Sequence, residues 1–140
     1  MTRLILWTVL FVFFLSNSSC QSKSKPKLVK VTDTEVEWKK NTHDFGEITE
    51  GEEVLHTFYL KNTGKHHLLI KKIDSGCSCT QVEYDKTPIP PQKEGKIEIV
   101  FNSKGRFGKQ YKEISIFANI SDKKTKLIFT ADVKEGNKQK

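Results

Sequence analysis

A chain of 140 residues with 24 Lys and Arg against 17 Asp and Glu, net charge +7, has room for one domain of ordinary size. A basic balance can mark a nucleic-acid binder. Here the lysines are spread along the chain, and the first residues carry an export signal, which together argue against that class.

Met1-Thr2-Arg3 is a short basic start, and the run from Leu4 to Leu15 has only Thr8 as a polar residue. That run is too short for a membrane span, which needs about 20 residues, and it fits a secretory signal. Ser16-Asn17-Ser18-Ser19-Cys20 follows. Small residues ending in a cysteine resemble the lipobox of bacterial lipoproteins, although Asn17 stands where Leu is usual. The pattern predicts a signal peptide over 1–19 and a lipid on Cys20, which places the protein in the cell envelope, anchored in the periplasm or outer membrane. Plain secretion, with Cys20 as a stray thiol, is the alternative.

Residues 20–35 read as a flexible tether, polar, Ser/Lys-rich and carrying Pro26. Lys23, Lys25, Lys27 and Lys30 either assist an acyl anchor at an anionic surface or simply solvate the tether. From there no stretch shows a helical period. Apolar residues instead recur at period two in short runs bounded by Gly, Pro, Asn and Asp. The predicted strands are Val36–Phe45 (ending at Gly46), Glu53–Leu60, Leu68–Ile73, Thr80–Tyr84, Lys96–Phe101, Tyr111–Ile120 and Lys126–Val133. Pro88, Pro90 and Pro91 make Thr87–Glu94 a loop or edge passage. Residues 134–140 form a polar tail. About seven alternating strands predict an all-β, immunoglobulin-like antiparallel sandwich over 36–133. Its expected core is Phe45, Phe58, Leu60, Ile97, Ile99, Phe101, Ile114, Ile116 and Phe129.

Cys77 and Cys79 lie between two predicted strands, in Ser75-Gly76-Cys77-Ser78-Cys79-Thr80. In a flat strand, residues i and i+2 are about 6.6 Å apart at Cα, the outer limit for a disulfide. A bend at Gly76 or Ser78 brings the sulfurs together. Three states stay open: a disulfide or redox-active pair in an exported chain, a soft-metal site such as copper(I), or free thiols packed as small hydrophobes. In none of them does the pair staple the two sheets, as the antibody disulfide does.

Other features point less sharply. His43, His56, His66 and His67 are scattered, and one C-x-C with scattered histidines is a weak metal signature; no metal site and no cofactor are predicted. His56 is expected to face the core or a neighbouring strand, and His66-His67 to form a wet turn. The chain holds no Gly-rich phosphate loop, H-E-x-x-H or G-x-S-x-G. Asp44, Asp74 and Asp85 sit at strand ends, as turn residues do. Trp38, Tyr59, Tyr84 and Tyr111 either line a sugar-binding face or pack. Asn119-Ile120-Ser121 matches a glycosylation sequon, which carries little weight in a bacterium.

A family resemblance rests on residues in order: His43-Asp44-Phe45-Gly46, Gly51, His56-Thr57-Phe58, Asn62-Thr63-Gly64, Leu68, Ile70, Cys77-Ser78-Cys79-Thr80, Pro91, Gly95, Ile97, Phe101, Gly108 and Asn119. The chain resembles the bacterial domain-of-unknown-function 1573 family, immunoglobulin-like domains common in exported lipoproteins of the Bacteroidetes type. The likeness spans roughly Val36 to Val133. It implies the fold and the envelope address, not an activity. Two positions depart from the family pattern. Ser78 replaces the usual Gly between the cysteines, which predicts a ring harder to close, and Pro91-Gln92 replaces Pro-Gly. The resulting expectation is a non-enzymatic envelope lipoprotein that binds or scaffolds another envelope protein. The alternatives are a thiol-redox or copper-handling protein using Cys77 and Cys79, and a glycan-binding surface module.

Overall fold

The computed structural model describes residues 32–136. Cys20, the predicted signal, most of the tether and the last residues of the tail lie outside them. The described chain forms two four-stranded sheets. One has the order β1 (Val36–Trp38), β3 (Glu53–Asn62), β6 (Glu94–Asn102), β5 (Thr80–Tyr84). The other has the order β2 (Thr42–Thr49), β8 (Lys124–Lys134), β7 (Gly108–Ala118), β4 (Ile70–Asp74). This is the expected immunoglobulin-like sandwich.

The period-two pattern sets which face each strand buries. Phe58, Leu60, Ile97, Ile99 and Phe101 point in from the first sheet, and Ile114, Ile116, Leu127 and Phe129 from the second. Each contributes about 1.5–3 kcal/mol by leaving water. Phe45, expected in this core, is only partly buried. It closes the rim, edge-on to Phe129 with ring centroids 5.6 Å apart.

The predicted strand Val36–Phe45 is two strands in two sheets. Lys39 still donates its N–H to Tyr59 O of the first sheet at 3.0 Å, while Asn41 O already accepts from Ile128 N of the second at 2.9 Å. The handover occupies Lys39-Lys40-Asn41, three exposed polar residues that interrupt the alternation. Gly46 does not end the strand. It sits at φ 70° in a register shift between Asp44 and Glu47, and β2 continues to Thr49. β2 also runs parallel to β8, so the sandwich is not purely antiparallel.

Two buried asparagines organise one end of the sandwich. Asn62 Oδ1 accepts from Thr34 Oγ1 (2.9 Å) and Gly64 N (3.2 Å), and its Nδ2 donates to His66 O (2.7 Å) and Ile89 O (2.9 Å). Asn119 Oδ1 accepts from Leu69 N, and its Nδ2 donates to Thr32 O and His67 O. With 2% of its surface exposed, Asn119 is closed to the enzyme its sequon would need. The proline segment joins the same end, where Ile89 and Leu68 exchange backbone hydrogen bonds at 2.9 Å. Next to it Gln92 takes φ 64°, where the resembling family carries Gly. A side chain in that region costs about 1 kcal/mol. Two hydrogen bonds offset the cost: Gln92 N to Asn62 O at 2.8 Å and Gln92 Nε2 to Thr63 O at 3.1 Å.

Candidate functional site

The opposite end of the sandwich carries the cysteines. β4 is the edge of one sheet and β5 the edge of the other, so Ser75–Cys79 is the crossover between them. Gly76, at φ 71°, makes the bend, and its N–H donates to Asp74 Oδ1 at 3.1 Å. That bond, with Lys72 behind it, holds the Asp74 carboxyl below the usual carboxylate range. Cys77 and Cys79 form a disulfide with their Cα atoms 5.3 Å apart. The expected obstacle at Ser78 does not arise, because the left-handed residue of this turn is Gly76 and Ser78 is simply exposed.

The two sulfurs are not equivalent. Cys79 is 8% exposed and joins the core, whereas Cys77 is partly buried at its edge. Thr80 Oγ1 lies 3.6 Å from Cys77 Sγ and 3.8 Å from Cys79 Sγ. Cys79 O accepts from Asn102 N at 2.9 Å, which fixes the crossover to the end of β6.

Beside Cys79 opens a cleft of about 250 Å³, whose walls include Glu53, Ser78, Gln81, Lys104 and Arg106. Glu53 is engaged by Asn102 Nδ2 at 2.6 Å. Among the described residues, neither Lys104 nor Arg106 forms an ion pair, and Arg106 Nε is buried without a hydrogen-bond partner. Lys112 shares the inward face of β7 with Ile114. Burial first, and then the Arg106 charge, hold its ammonium below the usual lysine range. The cleft beside Cys79 is thus lined by two cations, Lys104 and Arg106, and one carboxylate, Glu53. Nothing in the isolated sequence singled out Arg106; its place depends on how the turn after β6 folds back.

The structure sorts the histidines into two groups. His43 of β2 and His56 of β3 stack across the open side of the sandwich, ring centroids 3.6 Å apart and planes 9° from parallel. His56 also meets Phe58 edge-on at 4.7 Å. His66 and His67 lie at the asparagine end, where their carbonyls accept from Asn62 and Asn119. Among the described residues no three His, Cys, Asp or Glu side chains gather as a metal site. As a disulfide the cysteines have no thiolate to offer a soft metal. The four aromatics form no common platform. Trp38 is half-buried with its Nε1 on Thr125 Oγ1 at 3.2 Å, Tyr84 packs on the core, and Tyr59 and Tyr111 project from different sheets.

The stacked histidines predict a pH dependence. Burial, followed by neighbouring positive charge, lowers both pKa values from the ordinary 6.5. As pH falls below that value the unfolded chain takes up protons before the folded one, so stability falls through the folded pKa values and is fully present above 6.5. Asp44, Asp74 and Asp85 have lowered pKa values, through backbone N–H bonds first, and lose their contribution only in more acid solution. Thermal midpoints of the wild type are expected to drop as pH falls from about 6.5 to 5, and those of His43→Phe/His56→Phe to stay nearly level. Equal slopes would assign the effect to other groups.

Structural likeness is confined to the fold. A Porphyromonas gingivalis W83 protein of unknown function superposes with a TM-score of 0.64 at 18% identity, over 76% of this chain and 50% of that one. This chain thus spans about half the length of that protein. The ASH/PapD-like domain 7 of human CEP192 gives 0.57 at 13% identity, over 85% and 98% of the two chains. The Vibrio cholerae VesB protease gives 0.55 at 9% identity, over 70% of this chain and 31% of that one. No curated protein matches the sequence significantly. Residues 36–133 match the family described as "Protein of unknown function (DUF1573)", and the chain belongs to that family.

Proposed function

We propose that this protein is a non-enzymatic binding module of the cell envelope, held to a membrane by a lipid on Cys20 and recognising another envelope protein through the outside of its sandwich. The observation that carries the reading is apolar surface outside a core that is already filled. Leu55 is 57% and Tyr59 45% exposed, on the same outward face of β3. Leu55 lies on the segment of β3 that neither β1, paired with Leu60–Asn62, nor Lys39, bonded to Tyr59 O, reaches, and Tyr59 borders that segment. An edge with unpaired backbone and apolar side chains is a site for a partner strand.

Photocrosslinkers placed at Leu55 or Tyr59 in living cells are expected to give a discrete protein adduct, and one at Lys65 none. Adducts of equal intensity at all three positions, or none at all, would remove the reading. The anchor is tested separately. Cys20→Ser is expected to leave the protein unprocessed or soluble, because acyl burial contributes about 0.8 kcal/mol per CH₂. Wild-type protein without metabolic fatty-acid label, and equal membrane retention of the variant, would contradict the anchor.

A further inference from the structure

We propose that the Cys77–Cys79 disulfide is an exchange-active site, attacked by an incoming thiolate at Cys77 and releasing Cys79 as the leaving thiolate. This goes beyond the binding reading and does not depend on it. Exchange requires the attacking sulfur to approach in line with the bond it breaks, from the side away from the leaving sulfur. The burial of the two cysteines fixes which sulfur is which. Cys77 lies at the edge of the core, while Cys79 is 8% exposed and faces inward.

The surroundings of Cys79 suit a leaving thiolate. Burial alone disfavours that charge. Three features oppose it: the Thr80 hydroxyl in reach of both sulfurs, the Lys104 and Arg106 side chains lining the adjoining cleft, and the lone Arg106 Nε–H. A buried donor without an acceptor is costly. Arg106 and Lys104 line the same cleft as Cys79, so an anionic sulfur there meets a counter-charge that the neutral disulfide does not use. Nearby cations and hydroxyl donors lower thiol pKa values, and a leaving thiol of lower pKa departs faster.

The bond from the incoming sulfur to Cys77 Sγ forms as the Cys77–Cys79 bond breaks, and its electron pair goes to Cys79 Sγ. A second thiolate then attacks the incoming sulfur and releases Cys77 as a thiolate. Two thiols are oxidised to one disulfide, and the protein disulfide is reduced to a dithiol. The thiol partner is a small thiol or a cysteine of another protein; the chemistry at Cys77 is the same.

The test uses detergent-solubilised full-length protein, with adducts located by peptide mass spectrometry. Oxidised glutathione is expected to modify Cys77 in Cys79→Ser about tenfold faster than Cys79 in Cys77→Ser. Reduction of the wild-type disulfide by glutathione is expected to slow about fivefold in Arg106→Gln at unchanged circular dichroism, with recovery in Arg106→Lys. The alkylation midpoint of Cys79 in Cys77→Ser is expected to rise when Arg106→Gln is added, a shift that a merely structural role for Arg106 does not produce. Cells expressing Cys79→Ser separate the sources, since a small thiol adds a small mass to Cys77 and a protein partner adds its own chain. Preferential modification of Cys79, or a rate and midpoint indifferent to Arg106→Gln, would overturn the proposal.

Discussion

Asn62→Ala is expected to destabilise the domain by about 3–5 kcal/mol in urea melts. The Asn62 side chain is fully buried and uses every donor and acceptor it has: Thr34 and Gly64 on its oxygen, the carbonyls of His66 and Ile89 on its nitrogen. Truncation strips a hydrogen bond from four groups on three segments, inside a region too crowded to readmit water freely; Gly64 N and Ile89 O keep a second partner, Glu35 O and Leu68 N, whereas the Thr34 hydroxyl and the His66 carbonyl lose the bond described for them. The crowding is visible at Gly64, where an added Cβ would sit 2.5 Å from Glu35 N and still closer to Thr34 Oγ1. A loss under about 1 kcal/mol would mean that solvent replaces these bonds after all.

Phe101→Ala is expected to cost about as much, roughly 3–5 kcal/mol, by a different route. Phe101 is completely buried, pairs with both Val54 and Thr80 across its neighbouring strands, and tilts against Phe129 with ring centroids 5.2 Å apart. Removing its ring leaves a cavity between two sheets that rigid neighbours cannot fill. Lys124→Ala provides the contrast. Lys124 is exposed and reaches only the Phe117 ring, 5.6 Å from its Nζ, so its loss is expected to stay within about 0.5 kcal/mol. Similar midpoints for the two variants would mean that the inward face is misassigned.

The strands were legible because alternation is a local signal. Ile97, Ile99 and Phe101, or Leu127, Phe129, Ala131 and Val133, declare their face without reference to the rest of the chain. The handover at Lys39-Lys40-Asn41 was not legible, since it depends on which carbonyl each N–H finds, and Tyr59 and Ile128 are remote in sequence. The parallel run of β2 beside β8 was hidden for the same reason. Asn62 and Asn119 read as a turn residue and a sequon; an asparagine that ties loops together from within has the same sequence as one that faces water. At the cysteine end, Gly76 and Ser78 were both candidates for the bend, and only backbone dihedrals choose between them. Arg106 gave no signal, because its importance lies in an unmet hydrogen bond.

The sandwich has a polarity. The chain arrives at Thr34, bonded to Asn119 and Asn62, whereas the disulfide is tied to Asn102, opposite Glu53. β3 runs from one level to the other, and its ten residues cover roughly 30 Å. The two ends are therefore a full strand length apart, so a substitution in the Asn62 and Asn119 loops and one at the Cys77–Cys79 turn share no partners and are expected to add independently.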